Sequence, residues 1–242
     1  MKEWLLNLAD GFSQTFIEKD RWLLFVKGFS VTIRVAVLAL VLGIVIGIII
    51  AVIRSAHDSR RSKTRGFSGV ILNIGDAICR LYLTVIRGTP MMVQLLIIYF
   101  VIFSSTRRSI MVAILAFGIN SGAYVAEIIR GGIMSVDQGQ MEAGRSLGLN
   151  YKQTMQKIIV PQAIKNILPA LGNEMITLLK DTSLMVVIGA KDLTKAAQTV
   201  QAVTYQAFMP YISIAIIYLV CVIILSKILS MVERRLRASD RR

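Results

Sequence analysis

Residues that carry chemistry are scarce in this chain. It has one histidine, His57, which excludes a histidine-based metal cluster. Its two cysteines, Cys79 and Cys221, lie far apart with no CxxC spacing. All three read as ordinary packing or loop residues. There is no GxxxxGK[ST] loop, so the chain cannot hold ATP in the P-loop manner. HExxH and GxSxG are missing too, and no internal repeat is evident. Acidic residues number 14 against 28 basic ones, giving a net charge of +14. Such an excess raises the question of nucleic acid. The positive residues flank apolar runs, however, and no aromatic-basic pattern accompanies them. Anchoring to anionic lipid headgroups explains them better.

What the chain has in quantity is apolar sequence, in blocks. Of its 242 residues, 55% are hydrophobic, and mean hydropathy is +0.65. The cleanest block, Val35 to Ile53, carries no charge. At about 1.5 Å per residue it nearly crosses a ~30 Å hydrocarbon core. It is too long and starts too late for a signal peptide, and no small-residue cleavage site follows. Four more spans are expected, at Leu81–Phe103, Ile110–Ile133, Leu168–Gly189 and Tyr211–Val232. Gly66–Arg80, with Asn73, Asp76 and Arg80, reads as an interfacial or cytoplasmic lead-in helix. The expectation is an all-α membrane protein with five transmembrane helices, one domain over 1–242.

Basic residues set the orientation. Arg54, Arg60, Arg61, Lys63 and Arg65 follow span one. Arg130, Arg145, Lys152, Lys157 and Lys165 follow span three, and Arg234, Arg235, Arg237, Arg241 and Arg242 follow span five. An odd number of spans then puts the N-terminus outside and the C-terminus, with its basic tail at 234–242, in the cytoplasm. The basic ends read as mobile.

One polar stretch, about 136–166, falls on the cytoplasmic side. Met141–Leu147 suits two helical turns, and Gly148 can end them because glycine reaches φ > 0 cheaply. Tyr151–Val160 suits a second helical piece, and Pro161 is expected to mark a bend. Glu142-Ala143-Gly144, then Gly148, a nine-residue gap and Ile158-Ile159-Val160-Pro161 resemble the EAA motif, E-A-A-x-x-x-G-x9-I-x-L-P, of membrane subunits of bacterial ATP-binding-cassette importers. Gly144 stands where the motif has its second alanine, and Val160 stands for its leucine. RGTPMMVQLLIIYF (Arg87–Phe100), INSGAYVAEIIRGGI (Ile119–Ile133) and LPALGNEMITLLKDTSLMVVIGAKDLT (Leu168–Thr194) resemble the permeases for polar amino acids, the histidine, glutamine and arginine permease family.

That resemblance implies a MetI-like fold in the bacterial inner membrane. It also implies a second permease subunit, identical or not, and two ATPase subunits that bind ATP and Mg. A solute-binding protein outside the cell would deliver a small amino acid. The chain itself would need no cofactor and would catalyse no bond chemistry. The EAA segment would be the helix that couples to the ATPase, through Glu142, Ala143, Gly144, Gly148, Ile158 and Pro161. Another small solute, such as an opine or a cystine-like compound, is the alternative cargo. An autonomous channel or ion-driven carrier is the rival class, and it needs no such segment.

Ionisable residues inside spans are costly and face a cavity or a partner. Asn120, Tyr124 and Glu127 share one helical face, with Ser121 at its edge. Glu127 either accepts from a cargo ammonium or pairs with Arg130 or Arg87. Gly88-Thr89-Pro90 breaks a span, and the freed backbone groups need a partner. That partner is either cargo or Thr89 itself, and Gln94 lies one turn further on. Asp181 and Ser183, beside Lys180 and Thr182, form a third polar group, which suits an internal arrangement, a gate or cargo contact. Gly43 and Gly47 fit a GxxxG packing face.

Overall fold

A computed structural model describes residues 9–60 and 67–238. Of the charged residues expected to flank the spans, Arg61, Lys63, Arg65, Arg241 and Arg242 lie outside these. Nine helices carry the fold, and no strand occurs among the described residues. They are α1 (Trp22–Arg60), α2 (Phe67–Gly88), α3 (Met91–Ile97, continued by a π-helical turn Ile98–Ile102) and α4 (Ser109–Met134). There follow α5 (Gln138–Ser146), α6 (Tyr151–Thr154, continued by a π-helical turn Met155–Ile159) and α7 (Val160–Asp181). A 3-10 stretch Thr182–Ile188 leads to α8 (Leu193–Thr204) and α9 (Phe208–Ala238).

The all-α reading holds, but the span boundaries differ from those expected. Among the described residues four helices are long and apolar enough to cross a membrane, within α1, α2, α4 and α9, and Met91–Ile102 is a shorter apolar helix. The stretch expected as one span, Leu81–Phe103, is two helices parted at Thr89–Pro90. Its first part is continuous with the expected lead-in helix, so 67–88 is one rod. Asp76 is tolerated within that rod because Arg80, one turn on, pairs with it at 2.6 Å. The stretch expected as span four is α-helical only to Asp181 and continues as the 3-10 stretch Thr182–Ile188. Its helix α7 carries Lys165, Glu174, Lys180 and Asp181 and is less apolar than the four rods. Residues 234–238 of the basic tail continue α9 as helix.

The bundle is organised around α4. Of its apolar window, 61% is buried, against 6% for α9, which leaves α9 as the outer rod. α4 packs on α1 through four small residues. A Cβ on Gly43 would lie 2.8 Å from Ser121 Oγ, and one on Gly47 would lie 2.6 Å from Val125. On the facing helix, Gly118 meets Leu42 and Gly122 meets Ile46. Two G-x-x-x-G surfaces therefore interlock, where only Gly43 and Gly47 were singled out from sequence. Close backbone approach of this kind is how helices gain van der Waals contact when lipid offers no hydrophobic drive. Around this seam Val35, Ala39, Leu95, Phe117, Leu179 and Met185 form the main buried cluster.

A second lock lies between α1 and the start of α8. Asp192, 1% exposed, caps α8 by accepting from the backbone N–H groups of Lys195 (2.9 Å) and Thr194 (3.1 Å). Gly28 of α1 lies against the Asp192 carbonyl, and the Leu193 N–H donates to Thr32 Oγ1 at 3.3 Å. Burial pushes the Asp192 carboxyl above the ordinary range, and the backbone bonds from Lys195 and Thr194 oppose that rise.

Candidate functional site

Pro90 has no N–H and ends α2, which leaves helix-end carbonyls exposed at membrane depth. Protein groups satisfy two of them. Thr89 Oγ1 donates to the Val85 carbonyl at 2.8 Å. Gln94, 6% exposed, reaches back from α3 and donates through Nε2 to the Ile86 carbonyl (2.7 Å), to Thr89 Oγ1 (2.8 Å) and to the Thr89 carbonyl (3.1 Å). Its own Oε1 accepts from Asn120 Nδ2 at 3.0 Å. Thr89, Pro90, Gln94 and Asn120 thus form one hydrogen-bonded knot between α2, α3 and α4. Next to Asn120, Ser121 Oγ donates to Glu174 Oε1 of α7 at 2.7 Å. Gly88 faces open space.

About two turns further along α4, Glu127 sits among guanidinium groups. Its Oε1 lies 3.1 Å from Arg54 Nη1, and its Oε2 lies 3.7 Å from both Arg87 Nη1 and Arg130 Nε. Arg87 also rests over the Tyr124 ring, 5.8 Å from its centroid. Arg54 faces the buried Asp76 at 3.6 Å, and Asp76 holds Arg80. These charges join α1, α2 and α4. They border a cleft of about 450 Å³ lined by Arg54, Arg80, Thr84, Arg87, Gly88 and Glu127. Arg87, Gly88, Thr89, Pro90, Gln94, Asn120, Ser121, Tyr124 and Glu127 therefore fall in one region. Asp181 and Ser183 do not join it. They lie at the end of α7 away from the polar segment, with no hydrogen bond or ion pair to the Glu127 group among the described residues.

Sequence reasoning missed Arg54, Asp76, Arg80 and Glu174 as members of this region. Arg54 was read only as a flanking charge. The i, i+4 spacing of Asp76 and Arg80 was a usable signal. The pairing of Arg54 with Glu127, 73 residues apart, had none.

The polar segment is a helix-turn-helix whose turns are set by named residues. Asp137 caps α5 by accepting from the Gly139 N–H at 2.7 Å. At the other end the Gly148 N–H donates to the Arg145 carbonyl (2.9 Å) and the Leu149 N–H to the Gly144 carbonyl (3.0 Å). With φ +79° at Gly148, this is the Schellman arrangement that favours glycine. Asn150 and Gln153 then form a reciprocal capping box that starts α6. Pro161 does not stop the helix. It is the second residue of α7, just after the π-helical turn.

Gly144 is the inward residue of α5, because a Cβ there would lie 2.5 Å from Thr154 Cγ2 and 3.2 Å from Ile158. The space that the motif's alanine methyl would occupy is taken by the Thr154 methyl. Glu142, Ala143, Gly148 and Pro161 are exposed, as is Leu147 at 78%. The segment thus has an inner face packed on its own helices and an outer face with an uncovered leucine.

An all-α bundle with rods long and apolar enough to cross a membrane, and a polar helix-turn-helix at one end, defines a multi-pass membrane protein. Residues 67–238 match the family described as binding-protein-dependent transport system inner membrane component, and the chain belongs to it. It is 40% identical over 187 residues to the arginine transport system permease protein ArtQ of Bacillus subtilis strain 168, which covers 71% of this chain and 85% of that protein. It is 37% identical over 218 residues to the glutamine transport system permease protein GlnP of Escherichia coli strain K12, covering 88% and 93%. Among solved structures it resembles a chain of an amino acid ABC transporter crystallised with histidines, at 44% identity and a TM-score of 0.78, covering 88% of this chain and 94% of that one. The methionine transporter MetNI in an inward-facing form shares the fold at 18% identity and a TM-score of 0.73, covering 91% and 99%.

Proposed function

We propose that this chain is the permease subunit of an ATP-driven importer of a polar or charged amino acid, delivered by an extracytoplasmic solute-binding protein. The observation that carries the reading is the likeness, over most of both chains, to proteins named as arginine and glutamine permeases. In this reading the whole chain, 1–242, acts as one transmembrane domain, paired with a second permease subunit. The N-terminus lies outside and the basic tail inside. Two separate ATPase subunits hold ATP and Mg, and dock on the segment 136–166. Glu142, Ala143 and Gly148 meet them on its outer face, and Gly144, Ile158 and Pro161 set its shape. The packing of Gly144 against Thr154 and Ile158 supports this, because a rigid segment transmits a displacement.

The path for cargo runs past Arg87, Gly88, Thr89, Pro90, Gln94, Asn120, Ser121, Tyr124 and Glu127, with Asp181 and Ser183 further along. The two orientations of the bundle interconvert when ATP binding reverses their free-energy difference. The test is uptake of labelled arginine, glutamine and histidine into proteoliposomes holding the permease, with and without the ATPase and binding protein. Uptake that needs both supports the reading. Uptake by the permease alone would establish a channel or carrier instead. Glu127→Gln should lower uptake with the complex intact, and unchanged uptake removes Glu127 from the path.

A further inference from the structure

The polar segment does not sit flush on the bundle. Between them is a cavity of about 450 Å³, and its lining comes from both sides. Ile50 and Ile133 come from the ends of α1 and α4, and Met141, Met155 and Ile159 come from the segment. Two guanidinium groups, Arg54 and Arg130, stand in the wall, and Asp137 is the one acid among the lining residues.

The charges differ in how far they are already engaged. Asp137 is committed to the N–H of Gly139 as a helix cap. Arg54 is held by Glu127 at 3.1 Å and faces Asp76 at 3.6 Å. Arg130 is not tied down in this way. Its contact with Glu127 is at 3.7 Å, beyond hydrogen-bond distance, and its side chain is 45% exposed. The cavity therefore offers a cationic donor at its rim and an apolar interior. The methionines adapt to an irregular apolar chain, since their side chains are unbranched and flexible.

A polar amino acid does not suit this place. Its carboxylate would meet a guanidinium, but its ammonium would then sit beside the same cations and its polar side chain among isoleucine and methionine. An amphiphile with an anionic head suits both parts. Arg54 and Arg130 lie in the last turns of the apolar rods α1 and α4, at the end that meets the polar segment; in the proposed orientation that is the cytoplasmic side, where basic pockets between spans meet the headgroups of the inner leaflet. We infer that this cavity is a site for one anionic phospholipid, with its phosphate on Arg130 and an acyl chain between the spans and the polar segment. Lipid retention can be measured on the permease itself, so the inference stands apart from the cargo assignment. In the transport reading the lipid fills the joint between the segment and the rods it moves.

The test is native mass spectrometry of the full chain in detergent, with phosphatidylglycerol and phosphatidylcholine offered as competitors. Wild type should keep one phosphatidylglycerol per chain in preference to phosphatidylcholine. Arg130→Gln should lower that retention about tenfold, the effect of losing one charge-assisted contact, and Arg130→Lys should keep most of it. Met141→Trp, which fills the cavity from the segment side, should lower retention with the charges intact. Equal retention of the two lipids overturns the proposal. So does Arg130→Gln that behaves as wild type, since the headgroup would then lie elsewhere. Retention lost in Arg130→Gln but unchanged in Met141→Trp would mean a surface charge effect without a seat for the chain. Displacement of the lipid by millimolar inorganic phosphate would mean a plain anion site.

Discussion

Gly144 and Thr154 form a lock that can be tested from both sides. An alanine methyl at 144 would lie 2.5 Å from Thr154 Cγ2 and 2.9 Å from its Oγ1. Thr154 cannot easily turn away. It is fully buried, and its hydroxyl donates to the Asn150 carbonyl at 3.1 Å. Gly144→Ala therefore overpacks the turn, at a cost of about 1–3 kcal/mol. Thr154→Ser removes the offending methyl and keeps the hydroxyl bond. On its own it should lose about 1 kcal/mol of packing, and in the double variant it should relieve most of the strain. The expected interaction energy between the two changes is on the order of 1 kcal/mol or more, of relieving sign. Amide hydrogen exchange over 144–158, followed by mass spectrometry, reads this locally. Protection should fall about tenfold or more in Gly144→Ala and return toward wild type when Thr154→Ser is added. Unchanged protection in Gly144→Ala, or additive losses in the double variant, would refute the packing argument.

Gly148, four residues on, should fail for the opposite reason. Nothing crowds its Cβ position, but its φ is +79°. Gly148→Ala should cost about 1–2 kcal/mol through backbone strain alone, and Gly148→Asn less, in the same exchange assay. Gln94→Leu strips the Ile86 carbonyl and Asn120 of partners in a buried place, so it should destabilise by about 1–3 kcal/mol, visible as a lower Tm in detergent. Asp192→Ala should lose the α8 cap, about 1 kcal/mol, whereas Asp192→Asn keeps an acceptor and should be milder. Because the folded-state pKa of Asp192 lies above its unfolded value, its contribution is fully present below the unfolded pKa and declines as pH rises through the folded one. Stability of Asp192→Asn should lack that component of the pH dependence.

The membrane class, the helical content and the helix end at Gly148 were legible in the chain because each rests on local signals. Charge-free runs mark rods, and a glycine after a helical run marks a Schellman end. The break at Thr89–Pro90 was visible too, with cargo or Thr89 as the expected partner, but its repair by Gln94 was not. That bond spans a turn whose geometry no local pattern dictates. Arg54 was hardest to place. Positive-inside reasoning accounts for it fully as a flanking charge, and that sufficiency hid its pairing with Glu127. The facing glycines Gly118 and Gly122 went unread for a related reason. A GxxxG on one rod does not say which other rod supplies the matching surface.

The meshed glycines of α1 and α4 carry a mechanical corollary. Rods seated backbone to backbone cannot slide by fractions of a turn without driving Leu42 and Ile46 into the opposite main chain. They must travel as a single strut. α4 leads through the three residues 135–137 into α5, so a displacement of α5 is passed to α4 and α1 as one body. Any gate the molecule possesses must then open where this strut meets its looser neighbours.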